Sequence, residues 1–149
     1  MKFICDQMLI NLGKWLRIAG YDTLIILDGL SDIFIEERAV KEDRYLLTKD
    51  KHFLNEGVKK IVYIKSVRLH SCVEELTQKL EVNWLFNPLS RCLICNTELI
   101  EVNQSEIPDK LKSFDEVVKC PHCLKYYWHG SHYKAMVEQL TKWQNHEWN

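Results

Sequence analysis

Two cysteine pairs set the tightest constraint on this chain. Cys92-Leu93-Ile94-Cys95 and Cys120-Pro121-His122-Cys123 stand with twenty-four residues between them. A two-residue gap lets one tight turn aim two thiolates at a single ion. Two such turns supply the four soft ligands of a tetrahedral structural zinc site. Two redox pairs or four separately buried thiols would have no need of both gaps together. The spacing therefore predicts a zinc ribbon held by Cys92, Cys95, Cys120 and Cys123. It divides the chain into a domain over residues 1–87 and, after a linker marked by Pro88, a ribbon and C-terminal helix over 88–149.

With 149 residues and 46% hydrophobic side chains, the chain can bury a real core. No apolar run is long enough for a membrane helix, so no membrane partner is expected. An acid at Asp6 stands too early for a signal peptide, and four thiols committed to metal suit a reducing compartment. A cytoplasmic setting is the expectation. Cys5 and Cys72 read as small core residues. The net charge is -1, with no basic excess in either half. Any contact with nucleic acid must then rest on a local patch.

Apolar runs at Phe3–Cys5, Thr23–Leu27, Tyr45–Thr48 and Ile61–Ile64 read as buried strands. Between the first two, Met8, Leu9, Leu12, Trp15, Leu16 and Ala19 recur as one face of a helix that Gly20 stops. Ser31 or Asp32 can cap a second helix that runs to about Lys41. A short helix is expected over 51–56. Leu69, Val73, Leu76 and Leu80 mark another. Strand alternating with helix predicts an α/β fold with a mainly parallel sheet and flanking helices. In the second half, 98–102 and 126–128 read as ribbon strands and 103–114 as a polar insertion. Ser131 is expected to N-cap a last helix.

Ligands of such sheets sit outside the carboxyl ends of the strands. Three strands end in an acid: Asp6, Asp28 and Asp50. Asp32 can join them from the following helix. Carboxylates gathered at one edge repel unless a divalent cation neutralises them, and hard oxygen donors suit Mg²⁺ or Mn²⁺. Such a metal can activate water for displacement at phosphorus. Taken singly, an acid after a strand is an ordinary turn former. Lys14 and Arg17 fall on the polar face of the first helix, which is either a solvated face or a phosphate contact, and Lys49, next to Asp50, can offset charge or touch phosphate. His129 and His132 are spare beside a complete thiolate set and can bind phosphate, shuttle protons or only pack. Tyr126, Tyr127, Trp128 and Tyr133 can stack on bases or form the ribbon's small core. A rival reading takes Asp50 as the phosphate acceptor of a receiver-like signalling domain, though Asp6 then lacks its acidic neighbour and a fifth strand is not evident.

Taken in order, these blocks resemble the PIN-like RNase domain found at the C-terminus of the Mut-seven exonuclease. The resemblance rests on Phe3-Ile4-Cys5-Asp6, Leu12-Gly13-Lys14-Trp15-Leu16-Arg17, Gly20-Tyr21-Asp22-Thr23, Leu46-Leu47-Thr48-Lys49-Asp50, the four cysteines, and Tyr127-Trp128-His129-Gly130-Ser131-His132-Tyr133. It implies metal-dependent cleavage of RNA, with Asp6 and Asp50 as the main metal ligands, Asp28 or Asp32 completing the site, and Lys14 and Arg17 as the basic helix. Gln7, Gly13 and Lys49 depart from the family's usual glycine, alanine and arginine, and none removes a carboxylate. The function expected is an endoribonuclease with structural zinc and catalytic Mg²⁺ or Mn²⁺. The alternative is a non-catalytic RNA- or ribosome-binding module.

Overall fold

A computed structural model describes residues 1–27, 30–54 and 58–149. Four strands form one parallel sheet: β1 (Phe3–Cys5), β2 (Thr23–Ile25), β3 (Tyr45–Thr48) and β4 (Ile61–Tyr63), in the order β2-β1-β3-β4. α1 (Ile10–Ile18) connects β1 to β2, α2 (Asp32–Lys41) lies between β2 and β3, and α3 (Leu69–Leu80) follows β4. The parallel arrangement is the one that the alternation of runs predicts.

Successive strand residues point to opposite faces, and the core divides accordingly. Phe3, Cys5, Leu47 and Val62 meet Leu12 and Leu16 of α1 and Val73 and Leu76 of α3. On the other face Ile4 and Leu46 meet Ile35 and Ala39 of α2, with Phe53 and Val58. Ser31 caps α2 by accepting a 3.3 Å bond from the Phe34 N–H. Gly20, at φ +98°, ends α1 where the chain passes Asn87; a Cβ there would lie 2.2 Å from the Asn87 carbonyl oxygen. Both a left-handed backbone and this close approach require glycine. Cys5 and Cys72 are free and buried, as small core residues should be.

In the second half, β5 (Ile100–Glu101), β6 (Val118–Lys119) and β7 (Tyr126–Tyr127) form an antiparallel ribbon. β6 has too short a run to be read from sequence. The polar insertion is mostly exposed, and within it two short turns lay Ile107 and Leu111 against Val117 as a small core. The cap is a correction. α4 (Ser131–Gln144) has Gly130, not Ser131, at its N-cap, and no side chain bonds there.

α4 does not stay with the ribbon. Leu140 and Trp143 are fully buried in the same cluster as α1 and α3. The Trp143 ring lies edge-on to Trp15 at 4.7 Å and to Trp84 at 5.3 Å. Its indole N–H donates to His70 Nδ1 at 3.1 Å, and Gln144 accepts a 2.7 Å bond from the Trp84 backbone N–H. The C-terminal helix thus closes the core of the first 87 residues. Trp143→Ala is expected to destabilise the whole chain by about 3–5 kcal/mol, the usual cost of deleting a buried Trp. Denaturant unfolding followed by far-UV circular dichroism checks this; a cost under about 1 kcal/mol would mean that α4 is not part of that core.

Candidate active site and metal centre

The strand order reverses between β1 and β3, so a crevice opens beyond their carboxyl ends. Asp6 follows β1 directly, Asp50 stands two residues beyond β3, and Asp32 opens α2. All three line one crevice of about 190 Å³, floored by Ile26, Ile35 and Phe53. Asp28 lies outside the described residues. Of the two acids expected to complete the site, Asp32 is the one seen in the crevice.

Register explains how Asp6 and Asp50 are aimed. Pairing of Cys5 with Leu47 sets Asp6 beside the end of β3. One Asp6 oxygen accepts from the Thr48 hydroxyl at 2.6 Å and the Lys49 N–H at 3.0 Å; the other accepts from the Met8 N–H at 2.9 Å. The same Thr48 oxygen accepts from the Asp50 N–H at 2.9 Å. Thr48 is fully buried and joins the two acids, a role that a single threonine at a strand end does not advertise. Asp50 in turn accepts from the His52 N–H at 2.8 Å, and His52 Nε2 stands 3.9 Å from Asp32. His52 had no sequence context; the turn after Asp50 brings it to the acids. Three donors occupy part of the Asp6 carboxylate and fix its orientation, leaving lone-pair capacity over. Thr48→Val keeps the shape but strands the Asp50 N–H and frees Asp6. It is expected to cost about 1–3 kcal/mol and to reduce any activity of the crevice further than stability alone explains. Comparing melting with cleavage rate at a temperature where both proteins are folded checks it; equal rates would dismiss Thr48 as a positioning residue.

The cations are arranged differently from the sequence reading. Lys14 is exposed on α1. Arg17 is not on that face: it is only 7% exposed, and this corrects its assignment as a solvent-facing phosphate contact. Its guanidinium donates to the Thr23 carbonyl at 2.9 Å and to the Leu93 and Ile94 carbonyls at 2.8 and 3.1 Å. Lys49 is half-buried, and its ammonium donates to the Ser66 carbonyl. It lines a second hollow beside the crevice with Gln7, Met8 and Asn11. Ser66 is itself held by Glu75. Burial raises the Glu75 carboxyl, but bonds from Lys79, Lys65 and Ser66 outweigh it and bring it down to about 2. His129 stacks on Tyr133 at 3.8 Å and lies 3.4 Å from Glu116; His132 is exposed at the start of α4.

The four cysteine sulfurs lie within 4.8 Å of one another, the only such group of potential metal ligands among the described residues. Each knuckle turns in the same way. The residue after its second cysteine is left-handed, Asn96 at φ 64° and Leu124 at φ 66°. The Cys95 N–H reaches Cys92 Sγ, and the Cys123 N–H reaches Cys120 Sγ, both at 3.4 Å. Tyr127 Oη sits 3.2 Å from Cys92 Sγ. Burial pushes the Cys92 thiol up, yet bonds from Tyr127 and from the backbone at Cys95 and Ile94 outweigh it and bring it down to about 6. Cys95, by burial and by its sulfur neighbours, is pushed up to about 12. Thiols crowded in this way resist joint ionisation unless a cation shares them. The donor set is that of a structural Zn²⁺, and these residues could hold one.

The first knuckle docks at the opposite end of the sheet from the acids. Asn96 accepts from the Thr23 N–H at 2.9 Å and donates to Asp22 at 2.7 Å, both at the amino end of β2. The Arg17 charge is felt by Cys92 and Cys95, so it offsets part of the negative charge that four thiolates leave around a dication.

A four-stranded parallel α/β sheet with an acidic crevice at its switch point, stapled to a four-cysteine ribbon, defines the class. The chain belongs to the Mut7-C RNAse domain family, whose model matches residues 1–140 and so nearly the whole chain. Comparison with curated proteins and with solved structures finds no match. The family description supports a ribonuclease-type function with RNA as substrate. No helix among the described residues is long and apolar enough to cross a membrane.

Proposed function

We propose that the chain is an endoribonuclease that hydrolyses RNA phosphodiester bonds with Mg²⁺ or Mn²⁺ held by Asp6, Asp50 and Asp32. The observation that carries this reading is that Asp6, Asp50 and Asp32, from three separate elements, line one crevice. Such oxygen donors fit a hard dication. When bound, the ion would supply an activated water and charge stabilisation at phosphorus. Asp6, oriented by Thr48 and by the Lys49 N–H, gives the fixed ligand. Asp50 is held to the same threonine and gives the second. Asp32, from α2, closes the third side, with His52 beside it in range to accept or pass a proton. Lys49, in the adjoining hollow, and the exposed Lys14 are the cations left to steer the RNA backbone.

A specific observation keeps the non-catalytic binding module as the second reading: Asp6 and Asp50 already have backbone and hydroxyl partners without metal. The receiver-like reading loses ground, since the parallel sheet has four strands among the described residues. The deciding experiment is incubation of zinc-loaded protein with mixed single-stranded RNA, with and without Mn²⁺ or Mg²⁺. Internal cleavage that needs the added ion supports the nuclease. Binding without cleavage under any divalent ion would favour the module.

A further inference from the structure

A second cavity takes no part in the acid crevice. It is a groove of about 420 Å³ between the ribbon and the first turn of α4, walled by Phe114, Tyr126, Trp128 and Tyr133. The Phe114 and Trp128 rings stand 6.1 Å apart, tilted by 40°, and each remains more than a third exposed. Lys125 and His132 line the groove, and no carboxylate does. Lys125 Nζ lies 5.5 Å from the Tyr127 ring, and Lys119 Nζ lies 5.8 Å from that of Tyr126. Glu116 stands nearby, 3.4 Å from the His129 ring that stacks on Tyr133, so the groove is aromatic with the Lys125 cation in its lining.

We propose that this groove is a base-stacking subsite for single-stranded RNA, with an unpaired base against Trp128 and Phe114 and its phosphate beside Lys125. The inference rests on RNA as the substrate and assigns a place where the strand is gripped away from the acids. The volume is that of an ordinary small-ligand pocket. Every base has a π-face, so aromatic walls bind it without regard to sequence. An aliphatic peptide side chain would fill the same apolar space. The charge decides between them: Lys125, in the lining itself, complements a phosphate, while Glu116 is turned to His129.

The test uses the full zinc-loaded chain carrying Asp50→Asn to prevent cleavage. Anisotropy of labelled oligouridylate, and of its duplex with oligoadenylate, is measured at several salt concentrations. The single strand is expected to bind more tightly. Adding Trp128→Ala should weaken it roughly 5- to 150-fold, the range of one stacked base. Trp128→Phe should keep most of the affinity. Gly130→Ala should weaken binding without deleting the ring, because the new Cβ would meet Trp128 Nε1 at 2.8 Å. Lys125→Ala should lower the salt slope by about 0.7, one phosphate on a single strand. Zinc content and melting confirm that each variant is folded. Unchanged affinity in Trp128→Ala, equal affinity for duplex, no RNA binding by the parent, or loss only of self-association would each overturn the subsite. Failure here with Asp50-dependent cleavage intact would leave the nuclease standing. Trp128-dependent binding by a chain that never cleaves would leave the groove and remove the nuclease.

Discussion

Replacing Asp50 by Asn is expected to slow RNA cleavage roughly 10²–10³-fold, the equivalent of about 3–4 kcal/mol of transition-state stabilisation, while folding is little changed. Asp50 is exposed, and its side chain accepts a bond from the His52 N–H. The Asn oxygen can accept that bond as well, so what the substitution removes is charge. Asp6 is a less clean target. Both of its oxygens accept hydrogen bonds, so the NH₂ of Asp6→Asn must face a donor, and stability will fall together with activity. Rates of single-turnover cleavage, compared with melting temperatures, separate the two effects. An Asp50→Asn protein that cleaves at the parent rate would take Asp50 out of the site.

Cys120→Ser is expected to release the zinc and to weaken both halves of the molecule. The ribbon loses its staple outright, since metal binding in such modules is folding energy. The parallel sheet suffers because the first knuckle is bonded into it. Arg17 donates to the Leu93 and Ile94 carbonyls, and Asn96 joins Thr23 and Asp22. Four bonds at about 0.5–1.5 kcal/mol each give roughly 2–6 kcal/mol. That amounts to a fall in Tm on the order of 10 °C for a chain of this size. Calorimetry with zinc analysis measures it. Parent protein purified without added zinc should hold close to one equivalent. A Cys120→Ser protein whose first 87 residues melt as in the parent would show that the knuckle is a mere appendage.

What could be read from the residues was set by period and by fixed spacing. The four parallel strands, α3 and the two knuckles each had a complete local signature. Asp6 and Asp50 could be paired before their geometry was known, because each follows a strand and the strands had to be parallel. Contacts across long stretches of chain left no such mark. Arg17 looked like a solvent-facing cation on an amphipathic helix, yet two of its three carbonyl partners lie seventy-six and seventy-seven residues away. Trp143 sat on a helical face that any neighbour could have covered, and it turned out to complete the core shared with α1 and α3. Thr48 and His52 act through hydrogen bonds set by register and by a short turn. Neither has a sequence pattern. β6 is two residues long, and its strand character comes from its partners on both sides.

The carboxyl edge of the sheet is expected to bind the divalent ion of the proposed nuclease. Crystals of the zinc-loaded protein soaked in Mn²⁺ and measured at the manganese absorption edge test it most directly. The expected result is an anomalous peak within ligand distance of Asp6 and Asp50, with Asp32 bound to it directly or through water. The zinc would remain as a separate peak among Cys92, Cys95, Cys120 and Cys123. A crevice without a manganese peak, in protein from the same preparation that cleaves RNA in the presence of Mn²⁺, would contradict it.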